Sequence, residues 1–236
     1  SQVPAKKTRF ITYCQRIAAI LLLPAIIAIV ALMMKKDHQE PLIAYNEVTA
    51  PYGMVSSLTL PDSSKVWLNA GSTLKYPTAF TSNVREVEMS GEAYFEVHAD
   101  KEHPFIVNTG DLKVTATGTA FNICSFAKAQ EEVITLVTGK VAVSQENNIK
   151  HLLPGQQLNY QRASKSMEIT DIDTYKYISW KDGILAFRDD PLKSIFNRLE
   201  QVYQVRFILK DTSINQFTYR ATFKGETLDE ILDYMG

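Results

Sequence analysis

The hydrophobic pattern of the chain changes twice, which divides it into three parts with different expected structures. Residues 17–34 form an unbroken apolar run, IAAILLLPAIIAIVALMM. From Met54 to about Arg162, apolar and polar residues alternate, which is the period of a half-buried β-strand. Beyond Lys181, short apolar runs adjoin segments in which apolar residues recur at helical spacing. The sequence predicts a mainly β protein, preceded by an apolar helix and followed by a small α+β domain.

The apolar run predicts a single transmembrane helix, because a helix of a soluble domain normally keeps one polar face. At about 1.5 Å per residue it covers most of a ~30 Å hydrocarbon layer. A buried core helix is the alternative, and Pro24 is tolerated in membrane helices. A cleaved signal peptide fits poorly, because Lys35 and Lys36 stand where small residues mark a cleavage site. Basic residues before the run predict that residues 1–16 are cytoplasmic; they are Lys6, Lys7, Arg9 and Arg16.

The alternating region predicts an all-β domain. Its apolar segments are short, rich in Val, Ile, Phe, Tyr and Thr, and bounded by Gly, Pro, Asn or Asp. Residues 92–98 show the pattern well, since Ala93, Phe95 and Val97 alternate with Glu92, Tyr94, Glu96 and His98. The pattern is compatible with a sandwich of two sheets and with a short coil of stacked strands.

The last part of the chain predicts a strand–helix–strand–strand–helix domain. Gly183–Phe187 is a short apolar strand, and Asp190 and Pro191 are suited to begin a helix as N-cap and first helical residue. Val205–Leu209 and Phe217–Phe223 are the next expected strands. Thr227–Glu230 is a capping box, which indicates a second helix. A domain with this order of elements requires one more strand, so we expect the domain to be incomplete here. The predicted division is 1–16 cytoplasmic remnant, 17–34 transmembrane helix, 35–53 periplasmic linker, 54–165 all-β domain and 180–236 small α+β domain.

Composition narrows the function classes. The chain of 236 residues has a formal net charge of −1, which gives no electrostatic reason to expect nucleic acid as a partner. The two cysteines, Cys14 and Cys124, fall on opposite sides of the predicted span. They cannot pair with each other, so we expect the outer domains to be stabilised by burial rather than by a disulfide.

The search for catalytic or metal-binding motifs finds little. His98 and His103 lie close to acidic residues, but their spacing matches no ordinary zinc site. The chain has no glycine-rich phosphate loop and no nucleophile elbow. Gly118-Thr119 is the one candidate for chemistry, since a threonine hydroxyl can attack the preceding carbonyl when the backbone is strained and a base is near. A β-bulge or a turn between two strands is the simpler interpretation of this dipeptide.

Several phrases of the β region occur together in a known family. The chain contains LPDSSKVWLN at 60–69, then STLKYP, GEAYFEV, PFIV, GTAFN and LPGQ in that order. As a series, these phrases resemble the sensor domain of FecR-type proteins over about residues 55–165. The tail from about Lys181 is similar to the small domain that follows FecR domains in Bacteroidetes-type proteins, which is related in shape to the secretin and TonB short N-terminal (STN) domain.

The resemblance implies a fold and a function. The fold is a coil of β-strands resembling a solenoid, followed by an STN-like α+β subdomain. FecR-like proteins are single-span anti-sigma factors of the inner membrane. Their cytoplasmic part binds an extracytoplasmic-function (ECF) sigma factor, and their periplasmic part contacts the signalling domain of a TonB-dependent outer-membrane receptor. Site proteases often relay the signal, and some members cleave themselves at a Gly-Thr that corresponds here to Gly118-Thr119.

These considerations predict an anti-sigma signal transducer rather than an enzyme, with its periplasmic sensor visible and its cytoplasmic sigma-binding domain missing. We expect no cofactor, no metal and no direct contact with nucleic acid. The candidate receptor contact is an exposed edge carrying Phe217, Tyr219 and Phe223, although three alternating aromatic residues also suit an ordinary core. A membrane-anchored structural or polysaccharide-binding module is the alternative function, and a tethered hydrolase has no positive sign in the sequence.

Overall fold

The computed structural model describes residues 16, 21–22, 24–30, 44–209 and 213–235. The chain divides into two compact units, Ser1–Leu42 and Ile43–Gly236. In the first unit, every described residue is helical and exposed, and Ile27, for example, is 60% exposed. Searched over the described residues, the chain shows no helix that is long and apolar enough to cross a membrane. The other residues of the run 17–34 lie outside the described ones, so the transmembrane helix stays a prediction.

Residues 44–171 fold into thirteen β-strands. This confirms the β structure that the alternating pattern predicts. The strands are β1 Tyr45–Thr49, β2 Ser56–Thr59, β3 Lys65–Leu68, β4 Thr73–Pro77, β5 Arg85–Glu96, β6 Phe105–Asn108, β7 Lys113–Ala116, β8 Ala120–Ser125, β9 Glu131–Thr138, β10 Val141–Gln145, β11 Asn148–Leu152, β12 Gln156–Gln161 and β13 Ser166–Asp171. The predicted bounds 54–165 are wrong, however. Strand β1 lies within the predicted linker 35–53 and pairs with β4, and β13 lies beyond residue 165 and pairs with β12.

The long strand β5 belongs to two sheets. Its first half pairs with β4 and β6, in a sheet of order β1-β4-β5-β6-β7-β10-β11. Its second half, from Gly91, pairs with β3 and β8, in a sheet of order β2-β3-β5-β8-β9-β12-β13. Gly91 has φ +106°, and a Cβ there would lie 2.4 Å from the Ser72 hydroxyl oxygen. Only glycine therefore fits where β5 passes from one sheet to the other.

The two sheets enclose one hydrophobic core. It contains inward-facing residues of both sheets, with Val87 and Val114 from the first and Phe121 and Leu136 from the second. Phe95 lies at the centre, 5.1 Å from the Phe121 ring and 6.1 Å from the Phe105 ring. The domain is thus a β-sandwich. Alternate burial is clear in β3 and in the first half of β5, while several central strands bury consecutive side chains.

The solenoid that the resemblance implies is wrong for this domain. Stacked turns of a solenoid place neighbouring strands parallel, but among the strand pairs of residues 44–171 only β5 and β6 run parallel. The other pairs are antiparallel, for example β5 with β8 and β8 with β9. The sandwich, which the residue pattern alone leaves open, is the observed arrangement.

The small C-terminal domain has its own core. Helix α1 (Tyr175–Ile178) and a 3₁₀ turn (Ser179–Asp182) lead into β14 (Ile184–Pro191), helix α2 (Leu192–Tyr203), a second 3₁₀ turn (Ser213–Gln216), β15 (Thr218–Lys224) and helix α3 (Leu228–Met235). β14 and β15 form an antiparallel pair. The helices bury Ile195, Leu199 and Ile231 against side chains of the two strands. This confirms an α+β domain.

The predicted strand at Val205–Leu209 is wrong. The structure describes residues 205–209 as irregular, and within the described part of the small domain β14 and β15 pair with each other. The Phe207 ring packs 4.8 Å from that of Phe196, and the Phe207 N–H donates to Glu200 Oε1 at 2.7 Å. Phe207, which the alternation predicted to lie in a strand, therefore contacts helix α2 instead of a sheet.

The two predicted helix starts have different outcomes. The capping box is confirmed, because the Thr227 N–H donates to Glu230 Oε2 at 2.8 Å and the Glu230 N–H donates to Thr227 Oγ1 at 3.3 Å. Asp190 is not an N-cap. Helix α2 begins at Leu192, while the Asp190 carboxylate accepts the Arg188 N–H and pairs with Lys176 Nζ at 2.5 Å.

Candidate functional sites

Gly118 and Thr119 lie in the link between β7 and β8, where the chain passes from the first sheet to the second. Gly118 has φ +134°, and a Cβ at this position would lie 2.9 Å from the Ala99 Cα. A side chain there would be strained and would clash, so only glycine suits this link. The local backbone thus has a conformation that glycine adopts readily and other residues rarely do.

The Thr119 hydroxyl is the buried polar group of this link. Thr119 is 5% exposed, and its buried Oγ1 has no hydrogen-bond partner among the residues that the structure describes. Its carbonyl accepts the Val97 N–H at 2.9 Å, which fixes the peptide next to β5. Gly139 packs closely on the other side, because a Cβ there would lie 2.5 Å from Thr119 Cγ2 and 2.7 Å from the Gly118 oxygen. Buried polar groups without a partner are rare, so this one is a candidate for chemistry.

A surface cleft of about 440 Å³ opens beside the link. Lys65, Glu96 and His98 line it together with Gly118 and Thr119. The cleft therefore brings groups that can accept or donate a proton to the same place as the Thr119 hydroxyl. The sequence identified only the Gly-Thr dipeptide of this site, because Lys65, Glu96 and His98 come from different strands and loops.

The two histidines of the sequence analysis do not form a metal site. His103 Nδ1 lies 2.8 Å from Asp100 Oδ2, and hydrogen bonds from His103 lower the pKa of Asp100 to about 2. His98 lines the cleft beside Gly118 instead. Over the described residues, no group of His, Cys, Asp and Glu side chains could hold a metal ion.

The three residues of the candidate receptor contact have different environments. Phe217 is 56% exposed and precedes β15. Tyr219 is half-buried, and its hydroxyl donates to the Tyr234 carbonyl at 2.7 Å. Phe223 is 6% exposed and belongs to the core of the small domain. The three side chains do not form one exposed row, although β15 pairs only with β14 among the described strands.

A buried polar cluster connects the two domains, and the sequence pattern did not indicate it. Glu92 is 5% exposed and accepts hydrogen bonds from Asn69 Nδ2 at 2.6 Å and from Asn122 Nδ2 at 3.1 Å. Arg198 Nη1 of helix α2 lies 3.7 Å from Glu92 Oε2. The Trp180 indole N–H donates to Asn122 Oδ1 at 3.2 Å. The small domain therefore covers part of the outer face of the second sheet.

Burial at this junction perturbs two titratable groups. The pKa of Tyr94 is raised to about 12, chiefly by burial and also by the negative charges of Glu96 and Asp182. Burial likewise raises the pKa of the Cys124 thiol, and the nearby Glu92 carboxylate adds to the effect.

Comparisons with known proteins agree with this architecture. The FecR protein family model matches residues 46–148, and the model of the FecR C-terminal region matches residues 184–236. Two crystal structures of a candidate anti-sigma factor from Parabacteroides distasonis ATCC 8503, at 1.65 and 2.50 Å resolution, are similar to the chain. Each is 31% identical with a TM-score of 0.73; they cover 80% and 81% of this chain, and the chain covers 90% of each of them. No curated protein matches the chain.

The two family models match the chain in the same order as the β-sandwich and the small α+β domain. The chain belongs to the FecR family. This confirms the resemblance that the series of motifs indicates, and the matched ranges agree with the two domains of the structure.

Proposed function

We propose that this protein is a transmembrane anti-sigma factor of the inner membrane. It relays the occupancy of a TonB-dependent outer-membrane receptor to a cytoplasmic ECF sigma factor, with the β-sandwich and the small domain in the periplasm. Membership of the FecR family is the observation that carries the proposal. The likeness to solved candidate anti-sigma factors over four-fifths of the chain supports it. The proposal needs no cofactor and no nucleic-acid contact.

The receptor contact is proposed for the small domain, at the edge of β15 that faces away from β14. An extended segment of the receptor's signalling domain would add to this edge as a further strand. Phe217 supports this placement because it is exposed at the start of the strand. Phe223 is excluded from the contact surface, since its ring packs 6.3 Å from that of Phe187 in the core.

The test uses the full-length gene. Deleting it is expected to make transcription of the neighbouring receptor operon insensitive to candidate nutrients, and the wild-type gene is expected to restore the response. Complementation with Phe217→Ala examines the receptor contact separately: loss of the response supports the contact, and a normal response places it elsewhere. Unchanged transcription after deletion, with every nutrient, would contradict the signalling role and favour a structural or polysaccharide-binding module.

We further propose self-cleavage at Gly118-Thr119. The Thr119 hydroxyl oxygen attacks the Gly118 carbonyl carbon, the C–N bond breaks, and an ester with a free Thr119 amine results. Water then hydrolyses the ester, which leaves a Gly118 carboxylate and regenerates the hydroxyl. The positive φ of Gly118, the buried Thr119 hydroxyl and the cleft lined by Lys65 and His98 support this assignment.

Thr119→Val is expected to abolish this cleavage while preserving the shape of the side chain. It is also expected to raise the free energy of unfolding of the intact chain by roughly 1 kcal/mol, because it removes a buried hydroxyl that has no partner. Mass spectrometry of the purified chain detects fragments ending at Gly118, and urea denaturation gives the stability.

Thr138→Val is the matched control, since Thr138 lines the same cleft and is exposed. It should cleave like the wild type. Fragments of equal yield from Thr119→Val would refute the mechanism, as would a wild-type chain that stays intact under all conditions tested.

A further inference from the structure

One contact between the small domain and the sandwich is the short turn Ser179–Asp182. Another is the Gln204 side chain, which donates to the Tyr52 carbonyl. Trp180 in this turn is 3% exposed and donates its indole N–H to Asn122. The next residue, Lys181, places its Nζ 5.7 Å from the ring centroid of Trp67 and 5.4 Å from that of Tyr94. Trp67 in β3 and Tyr94 in β5 both lie on the outer face of the second sheet. A cation over two aromatic rings and one hydrogen bond thus position the turn.

The Glu92 carboxylate of the sandwich faces a cation of the small domain. The amides of Asn69 and Asn122 orient the Glu92 carboxylate from within the sandwich. The cation that faces it, Arg198, comes from helix α2 of the small domain. Burying such a pair costs desolvation free energy that the mutual attraction offsets only in part. The pair therefore specifies where the small domain lies but contributes little net affinity.

The junction is also poorly filled on both sides of this cluster. An apolar cavity of about 290 Å³, bordered by Met54, Trp180 and Leu185, lies on one side. A more polar cavity of about 470 Å³, bordered by Cys124 and Arg198, lies on the other. Both cavities open to solvent, so the two domains are not packed against each other at these places. Interfaces of this kind allow relative motion of domains.

We propose that Trp180, Lys181 and Arg198 form a reversible latch. Closed, it holds the small domain on the outer face of the second sheet through Asn122 and Glu92. Open, the small domain swings about residues 172–174, between β13 and α1, while both domains stay folded. Opening returns Glu92 to water and uncovers Trp67 and Tyr94. The latch follows from the junction alone and goes beyond the proposed signalling role, so its test does not depend on that role.

The first experiment measures the distance between the two domains in the whole chain, purified in detergent. Nitroxide labels are attached at Lys150→Cys in β11 and Asp229→Cys in α3, both exposed positions, in a background with Cys14→Ala and Cys124→Ala. Double electron–electron resonance spectroscopy should give one dominant distance between the two labels. Adding Trp180→Phe and Arg198→Met removes the indole donor and the cation, and should broaden the distribution toward new distances.

Arg188→Met is the matched control. Arg188 lies in the same domain, but its guanidinium contacts the Phe187 carbonyl, the Thr222 hydroxyl and the Tyr175 ring, none of which belongs to the sandwich. The control should keep the dominant distance. If the doubly substituted chain also keeps it, with circular dichroism unchanged, the latch is wrong.

A second measurement uses the unmodified chain, so it does not rely on the variants folding. Opening without unfolding should let the Trp180 indole N–H exchange with solvent roughly tenfold faster, or more, than the backbone N–H of Ile123 in the sandwich core. Ile123 is fully buried in β8 and pairs with β5 and β9. Equal exchange of the two groups would mean that the junction opens only when the protein unfolds, which would overturn the proposal.

Discussion

Replacing Asp62 with alanine is expected to lower the free energy of unfolding by roughly 3–5 kcal/mol. The Arg85 side chain is only 4% exposed, and its Nη1 lies 2.6 Å from Asp62 Oδ2. Removal of the carboxylate leaves a buried guanidinium whose other hydrogen bonds go to uncharged carbonyls, such as that of His103 at 2.8 Å. The turn before β3 is also lost, because Asp62 accepts the Ser64 N–H and the Ser64 hydroxyl.

The comparison is with Glu88→Ala, which breaks an ion pair of the same charge type at the surface. Lys75 and Glu88 are 3.2 Å apart, but their side chains are 42% and 60% exposed. Solvent and salt screen such a pair, so its loss should cost at most about 0.5 kcal/mol. Denaturant titrations of both variants give the two values. Equal losses would show that burial of Arg85 does not determine the cost.

Phe95→Ala is the second substitution with a large expected effect, a loss of roughly 3–5 kcal/mol. Phe95 is fully buried in β5 and stacks on Phe121 at an interplanar angle of 16°. Phe105 packs against its other side. The cavity left behind borders both sheets, whose strands are too constrained to collapse into it. Guanidinium titrations followed by circular dichroism measure the change.

Phe217→Ala makes the same chemical change at an exposed position and should alter stability by no more than about 0.5 kcal/mol. Phe95→Leu, which refills part of the space, should recover some of the loss. A Phe95→Ala chain as stable as the Phe217→Ala chain would contradict the position of Phe95 at the centre of the core.

The sequence predicted which residues face the core far better than which strands pair. The alternation at residues 92–98 gives the buried Phe95 correctly, because period two reports only the two faces of a strand. It carries no information on partners, so the sharing of β5 between two sheets was not visible. The same alternation placed Glu92 and Tyr94 on a polar outer face. Both are buried, since the small domain covers that face. The available signal was the presence of aromatic residues, Trp67 and Tyr94, at positions that alternate with core residues.

The candidate sites were predicted unevenly for related reasons. Gly118 was found because glycine itself is the signal for an unusual backbone. The cleft residues Lys65 and His98 were not, since only folding brings them to Thr119. Phe223 was assigned to an exposed edge, but a two-stranded sheet under two helices buries alternate residues of β15.

The sharing of β5 has a consequence for how the molecule melts. The two sheets have no boundary along which they could separate, because β5 supplies pairing partners to both. If either sheet unfolded, one half of β5 would lose its pairing partners, although β5 also belongs to the other sheet. The sandwich should therefore melt as one cooperative unit. The small domain has a separate core, so calorimetry of the chain should show a transition of its own.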